Sequence, residues 1–163
     1  MVQILLIGQD HPLYEQELEL RNRVLLNPIG ISVDWLEQRW PGCEAGADHF
    51  VAVIEHPKGS RVVGCVLLLP HQPDENTGKL MQMAVDPQRR HEGIGRRLTA
   101  ELERRAFGEL GLTSLFCHAR EGADDFYRRL GWLNEGDRFE EAGIGHFKMV
   151  FRPTNVEFGA TQR

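Results

Sequence analysis

The chain is predicted to adopt an α/β fold of about six to seven strands and about four helices, and three observations predict it. Short runs dense in β-branched residues recur between segments whose apolar residues have helical spacing. Two of these runs, HFVAVIE (49–55) and RVVGCVLLLP (61–70), are separated only by HPKGS, whose Pro and Gly suit a tight turn. A strand, helix, strand, helix order then runs from 79 to 131.

VQILLI (2–7) reads as the first strand, broken by Gly8 to Pro12. From Leu13 to Leu26 the spacing predicts a helix, with Tyr14, Leu18 and Leu25 on one stripe that Arg21 interrupts. NPIG (27–30) ends it. Ser32 suits the N-cap of a second short helix, VDWLEQRW, which stops before Pro41 and Gly42. The stretch from Gly42 to Asp48 reads as a loop. Both strands of the 49–70 hairpin are apolar on successive residues, so other chain must cover both sheet faces. KLMQMAV (79–85) is a strand that cannot simply continue through Pro87. Ile94, Leu98, Leu102 and Ala106 mark an amphipathic helix between Gly93 and Leu110. TSLFCHA (113–119) is the next strand, and GADDFYRRLGW (122–132) is a helix with Gly131 placed as its C-cap. The alternating HFKMVF (146–151) and its surroundings supply one or two final strands. Residues 1–152 are expected to form one domain, and 153–163 an aperiodic tail.

At 163 residues such a domain buries roughly two-thirds of its unfolded surface, enough for a core without staples. Hydrophobic residues at 41% and charged residues at 26% argue against disorder. The net charge of -5 disfavours a nucleic-acid partner, because phosphate-backbone binding requires an excess of Lys and Arg. No apolar stretch approaches the ~20 residues needed to cross a bilayer, so no membrane partner is expected. Cys43, Cys65 and Cys117 form no CxxC pair and read as core thiols, consistent with a cytoplasmic location. The histidines show no metal-ligand spacing, and no metal is expected.

The strongest chemical signal is MAVDPQRRHEGIGRRL, in which a strand, a glycine-containing turn, basic residues and a helix start follow one another. Gly93 and Gly95 leave backbone N–H groups at the helix start open to an anion, and arginines there offer forked donors to phosphate oxygens. Arg90, Arg89 and Arg96 are the candidates. No Gly-Lys-Ser/Thr follows and the full GxGxxG is absent, so neither a Walker loop nor a dinucleotide fingerprint is present.

This segment resembles the phosphate loop of the GNAT acyltransferase superfamily, Arg/Gln-x-x-Gly-x-Gly/Ala after a strand ending Val-x-Pro, through Val85, Pro87, Arg90, Gly93 and Gly95. Ala123, Phe126, Tyr127, Gly131 and Trp132 resemble the second signature of that superfamily. The resemblance spans roughly 13–152, with motif identity from about 80 to 132. It implies a GNAT fold, a mixed, mostly antiparallel, twisted sheet splayed open between the strand before the loop and the strand at 113–119. It also implies acetyl-CoA as acyl donor, held by Met83, Ala84, Val85, Arg90, His91, Gly93, Ile94, Gly95, Arg96 and Tyr127. His91, where many relatives have Gly, and Arg120, where Asn is frequent, depart from the pattern.

Acetyl transfer to an amine needs an unprotonated nucleophile, a stabilised oxyanion and a proton for the departing thiolate. Tyr127, with an ordinary pKa of about 10, is the candidate acid; a core tyrosine is the blander alternative. A lysine-like amine costs ~4–5 kcal/mol to deprotonate at neutral pH, so a base is useful. Glu140, Glu141, His118 and His146 are the plausible carriers, with Glu140 and His146 preferred and His118 assigned to the acceptor side. FEEAGIGHFKM (139–149) resembles an ElaA-like branch of the superfamily, where a glutamate and a histidine flank the last hairpin. Arg21 either binds an acidic group of the acceptor or snorkels. The expected acceptor is a small-molecule or peptide amine, and the expected route is direct attack in a ternary complex. A non-catalytic acyl-CoA-binding regulatory module is the alternative. Exposed final strands offer an edge through which a homodimer could pair.

Overall fold

In the computed structural model, which describes residues 1–153, eight strands form one sheet in the order β1-β2-β3-β4-β5-β8-β6, with β7 on β8. The strands are β1 (Gln3–Ile7), β2 (Asp48–His56), β3 (Gly59–Pro70), β4 (Thr77–Val85), β5 (Ser114–Arg120), β6 (Leu133–Asn134), β7 (Phe139–Glu141) and β8 (Ile144–Phe151). The helices are α1 (Tyr14–Arg21), α2 (Val33–Arg39), α3 (Cys43–Gly46), α4 (Ile94–Glu103) and α5 (Asp124–Arg129). The β1-β2, β2-β3, β5-β8, β6-β8 and β7-β8 pairings are antiparallel, whereas β4 and β5 run parallel. Two short strands, β6 and β7, raise the count above six to seven; at two and three residues they are too brief to show periodicity. The expected tail lies, beyond Pro153, outside the described residues.

The chain divides into two compact units, Met1–Leu69 with Gln82–Leu102, and Pro70–Met81 with the residues from Glu103 onward. In the first, Ile7, Leu20, Val51, Val53, Val62, Cys65 and Ala84 form the core. Strands β2 and β3 pair with a register shift at Ala52/Val53, so that Val63 is bulged out. Its freed carbonyl accepts from the Asp86 amide at 2.8 Å, which fixes where β4 ends. The Asp86 carboxylate then accepts from the Gln88 amide and caps a 3-10 turn over Pro87–Arg89. Helix α4 lies directly on β3, because Gly64 has no side chain: a Cβ there would stand 2.8 Å from Ile94 and 3.2 Å from Leu98. Ser32 caps α2 through the Trp35 amide, as expected. The expected loop from Gly42 to Asp48 is instead helical over α3, because the Glu37 carboxylate accepts from the Gly42 and Glu44 amides and nucleates the turn.

Helices α1 and α4 are both extended by wider, π-type turns, Asn22–Leu26 and Arg104–Glu109, so the predicted spans hold while the phase changes near their ends. On α4 and its extension, Ile94, Leu98, Leu102 and Ala106 are all buried, as their spacing predicts. On α1 the buried residues are Glu17, Leu20 and Arg21; Tyr14, Leu18 and Leu25 are only half-buried. A reading based on apolar residues misplaces that face, because two of the three buried side chains are charged.

In the second unit β4 pairs with β5 at Thr77–Lys79 against Ser114–Phe116 only, while β5 stays paired with β8 through Arg120. Alternation along β5 buries Leu115, Cys117 and Ala119 on one face. An aromatic group built on Tyr127, Trp132 and Phe151 fills the core, with Trp132 stacked on Phe151 at 5.8 Å and 5.3 Å from Tyr127. Gly131, at φ 93, ends α5 in the left-handed conformation and lets Trp132 turn inward, where its indole N–H donates to Glu103.

Candidate active site

In the first unit, the turn between β4 and α4 carries Arg90, His91 and Gly93. Gly93 sits at φ 79, and a Cβ added there would meet nothing within 4 Å. His91 takes φ 67, so a non-glycine residue holds a left-handed conformation in this turn. The Gly93 carbonyl accepts from the Arg97 amide and opens α4, and Gly93 has no side chain to cap the first-turn amides. Arg89 pairs with Glu92 at 3.4 Å and Arg97 donates to the Val2 carbonyl. Arg90 and Arg96 are exposed and form no ion pair or hydrogen bond with another described residue. The turn thus combines the N-terminus of α4, which Gly93 has no side chain to cap, with two exposed guanidinium groups that have no counter-charge among the described residues, a combination suited to a phosphate-bearing ligand.

In the second unit, Tyr127 on α5 is buried, and its hydroxyl has no hydrogen-bond partner among the described residues. Burial, and then the neighbouring Cys117 thiol, push its pKa well above the ordinary value, so the phenol keeps its proton. On the opposite face of β5, His118 Nδ1 lies 2.9 Å from a carboxylate oxygen of Glu141. Burial works against ionisation of Glu141, but the His118 hydrogen bond and the charges of His118, Lys79 and His146 outweigh it and hold the pKa below the usual carboxylate range. Phe139 stands edge-on to His118 at 5.0 Å and stacks on His146 at 5.8 Å. His146 Nδ1 donates to the Ile144 carbonyl at 2.8 Å. The buried Lys79 ammonium lies 5.8 Å over the Phe116 ring.

The sequence profile of the Acetyltransferase (GNAT) family matches residues 14–132. The chain belongs to the GNAT acetyltransferase family. No curated protein sequence matches it. Several solved structures share its GNAT fold. An acyl-CoA N-acyltransferase from Pseudomonas aeruginosa is 18% identical, with 92% of this chain and 99% of that one covered at a TM-score of 0.70. Escherichia coli ElaA is 17% identical over 92% of this chain and 99% of its own, with a TM-score of 0.69. A GNAT family acetyltransferase from Elizabethkingia anophelis, solved with acetyl-CoA bound, is 15% identical over 93% of this chain and 98% of its own, with a TM-score of 0.67.

The structure places Arg90, His91 and Gly93 on the turn and Ile94, Gly95 and Arg96 at the start of α4, with Met83, Ala84 and Val85 ending β4 before the 3-10 turn. It separates the two glutamates of the last hairpin. Alternation along β7 directs Glu141 to His118 and leaves Glu140 exposed, 3.9 Å from Arg138. His146 is buried and tied to its own hairpin. Arg21 neither snorkels nor reaches solvent. Its Nη1 donates to Glu17 and Glu44 and its Nε to the side-chain oxygen of Gln82. The apolar-stripe reading missed Glu17, Glu44 and His49, which surround it; the i, i+4 spacing of Glu17 and Arg21 was the available signal. Among the described residues, no group of three or more His, Cys, Asp or Glu could hold a metal ion, and no helix is long and apolar enough to cross a membrane.

Proposed function

We propose that the protein transfers an acetyl group from acetyl-CoA to an amine of a small molecule or peptide, by direct attack within a ternary complex. The observation that carries this reading is the Arg90–Arg96 segment, where two exposed guanidinium groups without a counter-charge among the described residues flank the N-terminus of α4 at Gly93. The acetyl-CoA bound to the Elizabethkingia relative supports the choice of donor. His118, oriented by Glu141, takes the proton from the attacking amine, replacing Glu140 and His146 as the preferred base. The amine nitrogen attacks the thioester carbon, the carbon–sulfur bond breaks as the tetrahedral intermediate collapses, and Tyr127 donates its phenolic proton to the leaving sulfur. Solvent then returns a proton to Tyr127 and removes one from His118. Cys43, Cys65 and Cys117 are buried free thiols, and burial raises the pKa of each, which supports a route without an acetyl-cysteine and a reducing, cytoplasmic setting.

Calorimetry with acetyl-CoA, followed by thiol-release assays over a panel of amines, tests this. Arg90→Gln and Arg96→Gln are each expected to weaken acetyl-CoA binding about tenfold, the loss of one hydrogen bond to a charged group, at unchanged thermal stability. Binding without thiol release for any amine would favour a regulatory acyl-CoA-binding module. No binding by folded protein would overturn both readings.

A further inference from the structure

The side chains around Arg21 form a closed network of four charges inside the first unit. Glu17 and Arg21 are 0% exposed, His49 is 1% and Glu44 is 6%. His49 Nδ1 lies 2.8 Å from the Glu17 carboxylate, and its Nε2 lies 2.9 Å from the Glu44 backbone carbonyl. Both contacts are to acceptors, so both ring nitrogens must donate, and only the doubly protonated ring can do so. The Glu17 carboxylate also accepts a charge-assisted hydrogen bond from Arg21 at 3.0 Å. Two cations then face two carboxylates, and the cluster is neutral. A neutral imidazole would forfeit one hydrogen bond and leave a net negative charge in the core, a costly arrangement.

The cluster reaches β4 at Gln82, through the Arg21 guanidinium. Gln82, inside β4, has φ 56, a conformation that a non-glycine residue adopts in a strand only when held there. Two contacts hold it. Arg21 Nε donates to its side-chain oxygen at 3.1 Å, and the Cys65 thiol donates to its backbone carbonyl at 3.5 Å. The bend stands immediately before Met83, Ala84 and Val85.

We propose that His49 is an imidazolium at neutral pH and that the neutral Glu17–Arg21–Glu44–His49 cluster is a positioning device, which fixes the Gln82 bend and so aims the Met83–Val85 backbone at the pantetheine arm of the cofactor. The second half of this statement rests on the acetyl-CoA reading; the first does not. The groups that face His49 are Glu17, Arg21 and the Tyr14 ring from α1 and Glu44 from α3, with Cys65 beyond Arg21 on β3. Burial opposes the His49 charge, but the Glu17 hydrogen bond and the Glu17 and Glu44 charges prevail and raise its pKa above the ordinary value.

Nitrogen NMR of selectively labelled histidine in the wild-type protein reads the first half without any substitution. The expected result at neutral pH is a slowly exchanging, doubly protonated ring that vanishes in His49→Gln; a single-tautomer neutral ring at that position overturns it. For the second half, Gln82→Asn tolerates the left-handed backbone but is one methylene too short to reach Arg21. Wild-type binding of acetyl-CoA is measured first, since its failure sinks the cofactor reading and not the imidazolium. Given that binding, Gln82→Asn should weaken acetyl-CoA about tenfold, the worth of one charged hydrogen bond, and leave adenosine 3′,5′-bisphosphate, which lacks the arm, within twofold or so. Equal affinity of wild type and variant for acetyl-CoA, or equal weakening of both ligands, overturns the positioning role.

Discussion

His118 on β5 and Tyr127 on α5 lie on opposite faces of that strand, and their surroundings suit the opposite proton-transfer roles proposed for them. Tyr127 is packed among Phe126, Trp132 and Cys117, where an ionised phenolate would be poorly solvated, so it remains a proton donor. His118 faces an ionised Glu141, which stabilises the imidazolium formed when it accepts a proton. Tyr127→Phe is therefore expected to lower single-turnover thiol release on the order of a hundredfold, the usual scale of general-acid assistance, while acetyl-CoA affinity changes little. Equal loss of rate and affinity would assign Tyr127 to binding instead. The sequence singled out Tyr127 because it stands in a two-part signature. Glu141 was not separable from Glu140, because only strand register decides which of two adjacent glutamates faces His118.

At the scale of elements, the position of the turn between β4 and α4, the proposed phosphate site, depends on how α4 sits on β3. Gly64 permits that contact, and Ile94, the first residue of α4, is the side chain that presses closest to it. A β-branched residue at Gly64 would displace the helix start together with the amides of the turn. Gly64→Val should destabilise the protein by about 1–3 kcal/mol, as overpacking in a core commonly does. For a chain of this size that is about 2–4 °C of Tm per kcal/mol. Weakened acetyl-CoA binding in the protein that remains folded should accompany it, and an unaffected Kd would show that the turn does not ride on α4. The helix itself, with its inward residues, was readable from the spacing of Ile94, Leu98, Leu102 and Ala106. The close approach at Gly64 was not, since that glycine in RVVGCVLLLP looks like any other break in an apolar run.

Over the whole molecule, one buried histidine–carboxylate contact, His49–Glu17, and one half-buried contact, His118–Glu141, are expected to set the pH range of stability. The folded pKa of His49 lies above its unfolded value of about 6.5, so its contribution is complete below that pH and is lost as pH rises through the higher folded value. Glu141 has the opposite sign: its folded pKa lies below the unfolded value of about 4.3, so its contribution is present above that pH and disappears as pH falls through the lower folded value. Urea unfolding across pH should therefore show a plateau bounded by an acid limb and a second limb beginning above about pH 6.5. His49→Gln should flatten the upper limb and Glu141→Gln should reduce the lower one. A wild-type midpoint that does not change from pH 6.5 to 9 would mean that His49 carries no charge in the folded state.

By itself the sequence determined the order of the longer strands and helices, the glycine turn and the second signature, because local periodicity and fixed spacings encode each of them within a few residues. The tertiary structure alone decided which glutamate meets His118, and it alone showed that Arg21 is an internal counter-ion bound to Gln82. Those outcomes depend on strand register and on contacts between residues as far apart as Arg21 and Gln82. A buried charge is tolerable only when distant partners arrive together, and no local pattern of apolar residues records that they will.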